Sequence, residues 1–155
     1  MTAPAANAAP ASPPPMAVPA LQALLGEMFA PWVQALGLQV QQVRQADGGG
    51  AEVVLALPVT APHVHAGGVV CGQTLMAAAD TAMVLAVSAQ LGGFRPMTTV
   101  QLQSSFLRPV PGDTPAVQVI ARLLKPGRNL MFGEIECRLP NGALAMHATT
   151  TYALL

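Results

Sequence analysis

A chain of 155 residues that is 52% apolar and 9% charged has the size of one domain around one sizeable core. Seven basic residues balance seven acidic ones, and the basic ones scatter from Arg44 to Arg138 with no stripe that could follow phosphates, which excludes a typical nucleic-acid binder. So few charges on so apolar a chain leave surface to be covered, and an oligomer is expected.

Residues 1–18 are rich in Ala and Pro, lack the basic start of a secretory signal and break every apolar run at Pro10, Pro13, Pro14 and Pro15. This composition predicts a disordered or polyproline-like lead-in to a single domain over 19–155. Leu21, Leu24, Leu25, Met28 and Phe29 recur at helical spacing and predict an amphipathic helix over 19–36. Residues 38–43 and 51–59 read as two strands, with Asp47, Gly48, Gly49 and Gly50 supplying the turn of a hairpin. A loop over 60–68 carries Pro62, His63, His65, Gly67 and Gly68, and an apolar stretch over 72–91, closed by Gly92 and Gly93, reads as a helix buried on most sides.

Downstream the period becomes two. Val100, Leu102 and Phe106 alternate with Thr99, Gln101, Gln103 and Ser105, which predicts a strand over 99–107 with one buried face. Strands over 117–124, 130–139 and 143–154 follow, joined by turns at Lys125-Pro126-Gly127-Arg128 and Pro140-Asn141-Gly142. A curved antiparallel sheet wrapped around one long central helix satisfies this pattern, an α+β architecture whose free sheet edge could pair with a second copy. No stretch of about 18 residues is free of Gly, Pro and polar interruptions, so no membrane partner is expected. Cys71 and Cys137 lie in apolar surroundings without CxxC spacing, which fits a reduced cytoplasm.

Asp80 is the one charge between His65 and Arg95. A carboxylate on so apolar a helix is costly to bury unless paired or hydrogen-bonded. It could cap a shorter helix beginning at Asp80-Thr81, pair with an arginine across an interface, or serve chemistry.

The run Cys71-Gly72-Gln73-Thr74-Leu75-Met76-Ala77-Ala78-Ala79-Asp80-Thr81-Ala82 resembles the motif of PaaI-type hotdog-fold acyl-CoA thioesterases, in which His-Gly-Gly opens the central helix and Asp-Thr-Ala follows two turns later. Thr98-Thr99-Val100-Gln101-Leu102, Ser105-Phe106-Leu107-Arg108-Pro109 and Gly127-Arg128 are similar to that family's following strand and hairpin turn, so the resemblance spans residues 38–155. It implies the hotdog fold and hydrolysis of an acyl or aryl-acyl CoA thioester in a site shared by two subunits of a homodimer or a dimer of dimers. Coenzyme A is then part of the substrate, and neither a cofactor nor a metal is needed.

By that resemblance Asp80 is the general base or nucleophile, and the Gly72 backbone amide at the helix N-terminus is the oxyanion hole. Thr99, with Thr98 as the alternative, holds the water or the carboxylate. His65 lies where the family commonly places a polar residue facing the reacting centre; a solvated loop histidine is its other reading. Gln73, Met76, Met83 and Phe106 are candidate substrate contacts, the apolar ones with a core role as the alternative, and Arg108 and Arg128 are candidate partners for the CoA phosphates. His63 and His65 form too sparse a set for a metal. Cys71 replaces the family's usual His and Gln73 its second Gly, which leaves backbone donation by Gly72 intact. The competing function is a non-catalytic acyl-CoA-binding module; a hydratase of the same fold would need a histidine on the central helix, and none occurs between His65 and His147.

Overall fold

The computed structural model describes residues 15–155, so most of the Ala/Pro-rich lead-in lies outside the described residues. Helix α1 (Val18–Met28) buries Leu21, Leu24 and Leu25, and a one-turn helix α2 (Pro31–Gln34) follows. The single helix predicted over 19–36 is therefore two. Pro31 disfavours the helical conformation at Ala30, which is extended at ψ 148°, and its ring starts α2 instead.

The hairpin strands are β1 (Gln39–Gln45) and β2 (Ala51–Pro58). After them come a single 3-10 turn at Ala61–His63, the central helix α3 (Gly72–Leu91), and strands β3 (Met97–Phe106), β4 (Ala116–Pro126), β5 (Leu130–Arg138) and β6 (Leu144–Leu154). The six strands form one antiparallel sheet in the order β1-β2-β4-β5-β6-β3, packed across α3 mainly through β4, β2 and β5. The inner face supplies Val53, Leu55, Leu57, Val117, Val119, Ile135 and Met146 to the core, against Ala78, Ala82, Leu85, Ala86 and Ala89 of α3. Small residues along α3 let the sheet approach its axis closely. By length and composition α3 could cross a membrane, but most of it is enclosed by its own sheet. It ends where Gly92 enters the left-handed region at φ 72°, the conformation that closes a helix C-terminus at least cost in glycine.

The strand after α3 differs from the alternation read in the sequence. A bulge between Thr99 and Gln101 takes Val100 out of register, and β3 is the edge of the sheet, so Val100 is 60% exposed and Phe106 half-exposed instead of lying on a buried face. The Thr150 hydroxyl donates to the Gln101 carbonyl at 2.7 Å, satisfying an acceptor beside the bulge.

On the outer face, six of the charged residues are paired. Glu52, only 3% exposed, accepts from Arg44 at 2.6 Å and from Arg122 at 2.5 Å, while Glu136 faces Arg122 and Arg138 and Glu134 faces His147. This network covers the sheet back on the side away from α3 and leaves Asp80 outside it.

Candidate active site

The loop before α3 is braced on both sides. The Cys71 N–H donates to the His63 carbonyl at 2.8 Å, and the Val70 N–H to the Val110 carbonyl at 2.9 Å. This sets Cys71 as the N-cap with extended backbone and no side-chain cap, so α3 begins at Gly72. The N–H groups of Gly72 and Gln73 donate to no acceptor among the described residues. Two open donors at the positive end of a 20-residue helix are suited to an oxyanion.

Beside them lies a cavity of about 280 Å³, lined by Val70, Gly72, Leu75 and the segment from Phe106 to Val110. The Phe106 ring covers Gly72: a Cβ there would meet the ring Cζ at 3.1 Å. Arg108 stands at this cavity with its Nη1 donating to the Leu144 carbonyl at 2.8 Å, and the rest of its exposed guanidinium meets no side-chain partner among the described residues.

Asp80 is the ninth residue of α3, so it is not an N-cap, and no ion pair among the described residues involves it. Its Oδ1 accepts from the Thr99 hydroxyl at 3.1 Å and from the buried Tyr152 hydroxyl, which also lies 3.1 Å from the Asp80 carbonyl oxygen. Thr99 and Tyr152 are ladder partners on β3 and β6, so both point to α3; Thr98, paired with Ala153, points away. Of the two threonines, geometry brings Thr99 to the carboxylate. Burial, reinforced by the negative charge of Asp80, pushes the Tyr152 phenol well above its ordinary value.

The other expected site residues divide. Gln73 is exposed on the first turn of α3 and Met76 is partly buried one turn on. Met83 does not open on the cavity: it is fully buried, its Sδ 2.8 Å from the position a Cβ on Gly133 would take, and belongs to the core between α3 and β5. Arg128 lies in the β4–β5 turn, outside the Gly72 cavity within one chain. His65 is exposed, with its Nδ1 accepting from the Gly67 N–H at 2.9 Å, while buried His63 accepts from the Thr60 N–H at 3.3 Å and closes the 3-10 turn. No group of three or more His, Cys, Asp or Glu is arranged for a metal among the described residues. Tyr152 is the residue that sequence reasoning missed. A lone tyrosine on the inner face of an apolar strand was the available signal, because a buried phenol hydroxyl requires an acceptor.

A curved six-stranded sheet around one long helix, with free amides at the helix start and a carboxylate two turns on, defines a hotdog-fold hydrolase. The family that matches over residues 67–146, a little over half of the sequence, is the thioesterase superfamily, and the chain belongs to it. It is a thioester hydrolase. Among solved structures it is similar to a conserved protein of Pseudomonas aeruginosa, with 29% identity and a TM-score of 0.71 over 84% of this chain and 98% of that one. A phenylacetic acid degradation-related protein of Ralstonia eutropha is 28% identical, with a TM-score of 0.73 over 87% and 99% of the two chains. The Escherichia coli PaaI protein shares the fold at 20% identity, with a TM-score of 0.73 over 88% and 91%. No curated protein sequence matches the chain.

Proposed function

We propose that the protein hydrolyses an acyl- or aryl-acyl-CoA thioester to the free acid and CoA, using Asp80 of one subunit with the Gly72 amide of another. The observation that carries this reading is Asp80 itself, a carboxylate in the middle of an apolar helix that faces hydroxyls and no cation among the described residues. In the reaction the thioester carbonyl oxygen lies against the Gly72 and Gln73 amides, which stabilise the charge that develops on it. Asp80 either takes a proton from water as the water attacks, or attacks the carbonyl carbon to give an anhydride that water then opens. In both routes the thiolate of CoA leaves and is protonated, and the carboxylate is regenerated.

Gly72 and Asp80 are eight residues apart on one continuous helix, roughly 12 Å along its axis at about 1.5 Å per residue. One carbonyl cannot reach both within a chain. Two copies with α3 antiparallel bring each Gly72 beside the other copy's Asp80 and give two equivalent sites. The edge strand β3, which carries Thr99 and exposes Val100, supports this pairing because its outer side has no strand partner among the described residues.

Arg108 at the cavity and Arg128, with Lys125 beside it, supply guanidinium and ammonium donors for the CoA phosphates. No cofactor enters the reaction, and the reduced, CoA-containing cytoplasm is its setting. The test is hydrolysis across short, medium, long and aryl acyl-CoAs by the wild type and Asp80→Asn. Loss of turnover by a folded, CoA-binding Asp80→Asn supports the assignment. Retained activity removes Asp80 from the chemistry, and binding without hydrolysis by the wild type points to the non-catalytic binding module.

A further inference from the structure

Tyr152 is the sole tyrosine of the chain and is 1% exposed on the inner face of β6. Across the sheet it is opposite Thr99 on β3 and Met131 on β5, which places its hydroxyl under the middle of α3. The two hydroxyls that reach Asp80 share an important feature: both donate to Oδ1. A carboxylate oxygen offers about two lone-pair sites, so Oδ1 is filled while Oδ2 accepts from no side chain or backbone amide among the described residues. Because the donors come from two different strands, they fix the plane of the carboxylate as well as its position.

We propose that Tyr152 is a positioning residue for hydrolysis: its buried hydroxyl, together with that of Thr99, pins Oδ1 of Asp80 and thereby presents Oδ2 to the attacking water or the thioester carbon. This rests on the reading of Asp80 as the catalytic carboxylate. The two donors are not equivalent. Thr99 faces the cleft that must admit the attacking water, and that water can take over its hydrogen bond, whereas the Tyr152 hydroxyl sits where nearly all its surface is enclosed. Losing the phenol hydroxyl should therefore cost turnover more than losing the threonine hydroxyl. Burial and the Asp80 charge both raise the phenol, so it is protonated and a donor at the neutral pH of the reaction.

The experiment compares wild type, Tyr152→Phe, Thr99→Val and Asp80→Asn on an acyl-CoA that the wild type hydrolyses, with tyrosinate absorbance followed in wild type and Asp80→Asn as pH is raised. Tyr152→Phe should lower kcat roughly 10- to 100-fold, the scale of a misplaced reacting group, with KM changed less than about 3-fold. Thr99→Val should lose less. Because one tyrosine produces the whole signal, Asp80→Asn should form tyrosinate at lower pH than the wild type, since the anion opposing ionisation has been removed. Wild-type kcat in Tyr152→Phe beside an inactive Asp80→Asn overturns the positioning role and leaves Asp80 catalytic. An unchanged tyrosinate onset in Asp80→Asn overturns the contact itself, whether or not Tyr152→Phe folds. Full activity in Asp80→Asn removes the underlying reading and the proposal with it.

Discussion

Met83 and Gly133 provide a sharp test of the boundary between core and site. Met83 is 1% exposed, and its Cε and Sδ occupy the space in which a Cβ on Gly133 would lie, with the Sδ and the Arg122 carbonyl oxygen both 2.8 Å from that point. Met83→Ala removes three heavy atoms. At roughly 0.8 kcal/mol per methylene-sized group the transfer loss is about 2.4 kcal/mol, and an incompletely collapsed cavity brings the total to about 3 kcal/mol. For a chain of this size that lowers Tm by about 6–12 °C. Gly133→Ala overpacks the same spot and should cost about 1–3 kcal/mol. In the double variant the new methyl fills part of the vacated volume, so the combined loss should fall short of the sum by about 1 kcal/mol; contact with the Arg122 carbonyl keeps the rescue partial. Urea unfolding of the four proteins measures this cycle, and steady-state kinetics of Met83→Ala measures the site. Strict additivity, or a KM that changes severalfold with little loss of stability, would refute the assignment of Met83 to the core.

Other consequences follow from the charge network, the thiols and the sheet edge. Glu136 is held below the usual glutamate range by its hydrogen bonds with Arg138 and by the Arg122 charge, against the opposing effect of burial. Its contribution is therefore present above the ordinary glutamate value and disappears as pH falls through the lowered one, so Glu136→Gln should cost about 1–2 kcal/mol near neutrality. In urea titrations the gap between Glu136→Gln and wild type should close in acid; a gap independent of pH contradicts the ion-pair account. Burial pushes the Cys137 thiol up to about 12, so a thiol reagent should leave it unmodified in the native protein and react with both cysteines in denaturant. Labelling of native Cys137 contradicts that placement. Val100→Asp on the β3 edge should yield monomers by sedimentation and abolish turnover without unfolding the chain, since Val100 is solvent-exposed within the chain. A dimer of normal activity in that variant removes β3 from the interface.

Much of this architecture was legible in the residues. The central helix ran from Gly72 to Leu91 as its apolar composition and terminal glycines indicated, because those signals are local. The later strands were equally clear from alternation and turn chemistry. The errors arose where tertiary context overrode a local pattern. Proline at position 31 outweighed a continuing helical period, and the bulge at Val100 with the edge position of β3 turned an apparently buried alternation outward. At the site, Asp80 stands out as an isolated charge, whereas simple alternation with Val100 and Leu102 inward puts Thr99 on the outer face, and only the bulge after Thr99 brings it to the carboxylate. Tyr152 escaped because its partner is 72 residues away in sequence. Met83 reads as either substrate contact or core, because an apolar helix alone does not reveal which of its sides a sheet covers.

The most direct test of a site assembled from two subunits is complementation between variants defective in different halves. Gly72→Pro removes the amide donor at the first helical position, where proline is tolerated once the half-exposed Phe106 ring over Gly72 swings outward, and Cys71 already has the extended backbone that a following proline requires. Asp80→Asn removes the carboxylate. Each variant alone should be inactive. If the site pairs Gly72 of one copy with Asp80 of the other, unfolding and refolding an equal mixture should restore about a quarter of wild-type activity, because half the random dimers are mixed and each mixed dimer has one intact site of two. A refolded mixture as inactive as its components would contradict the shared site.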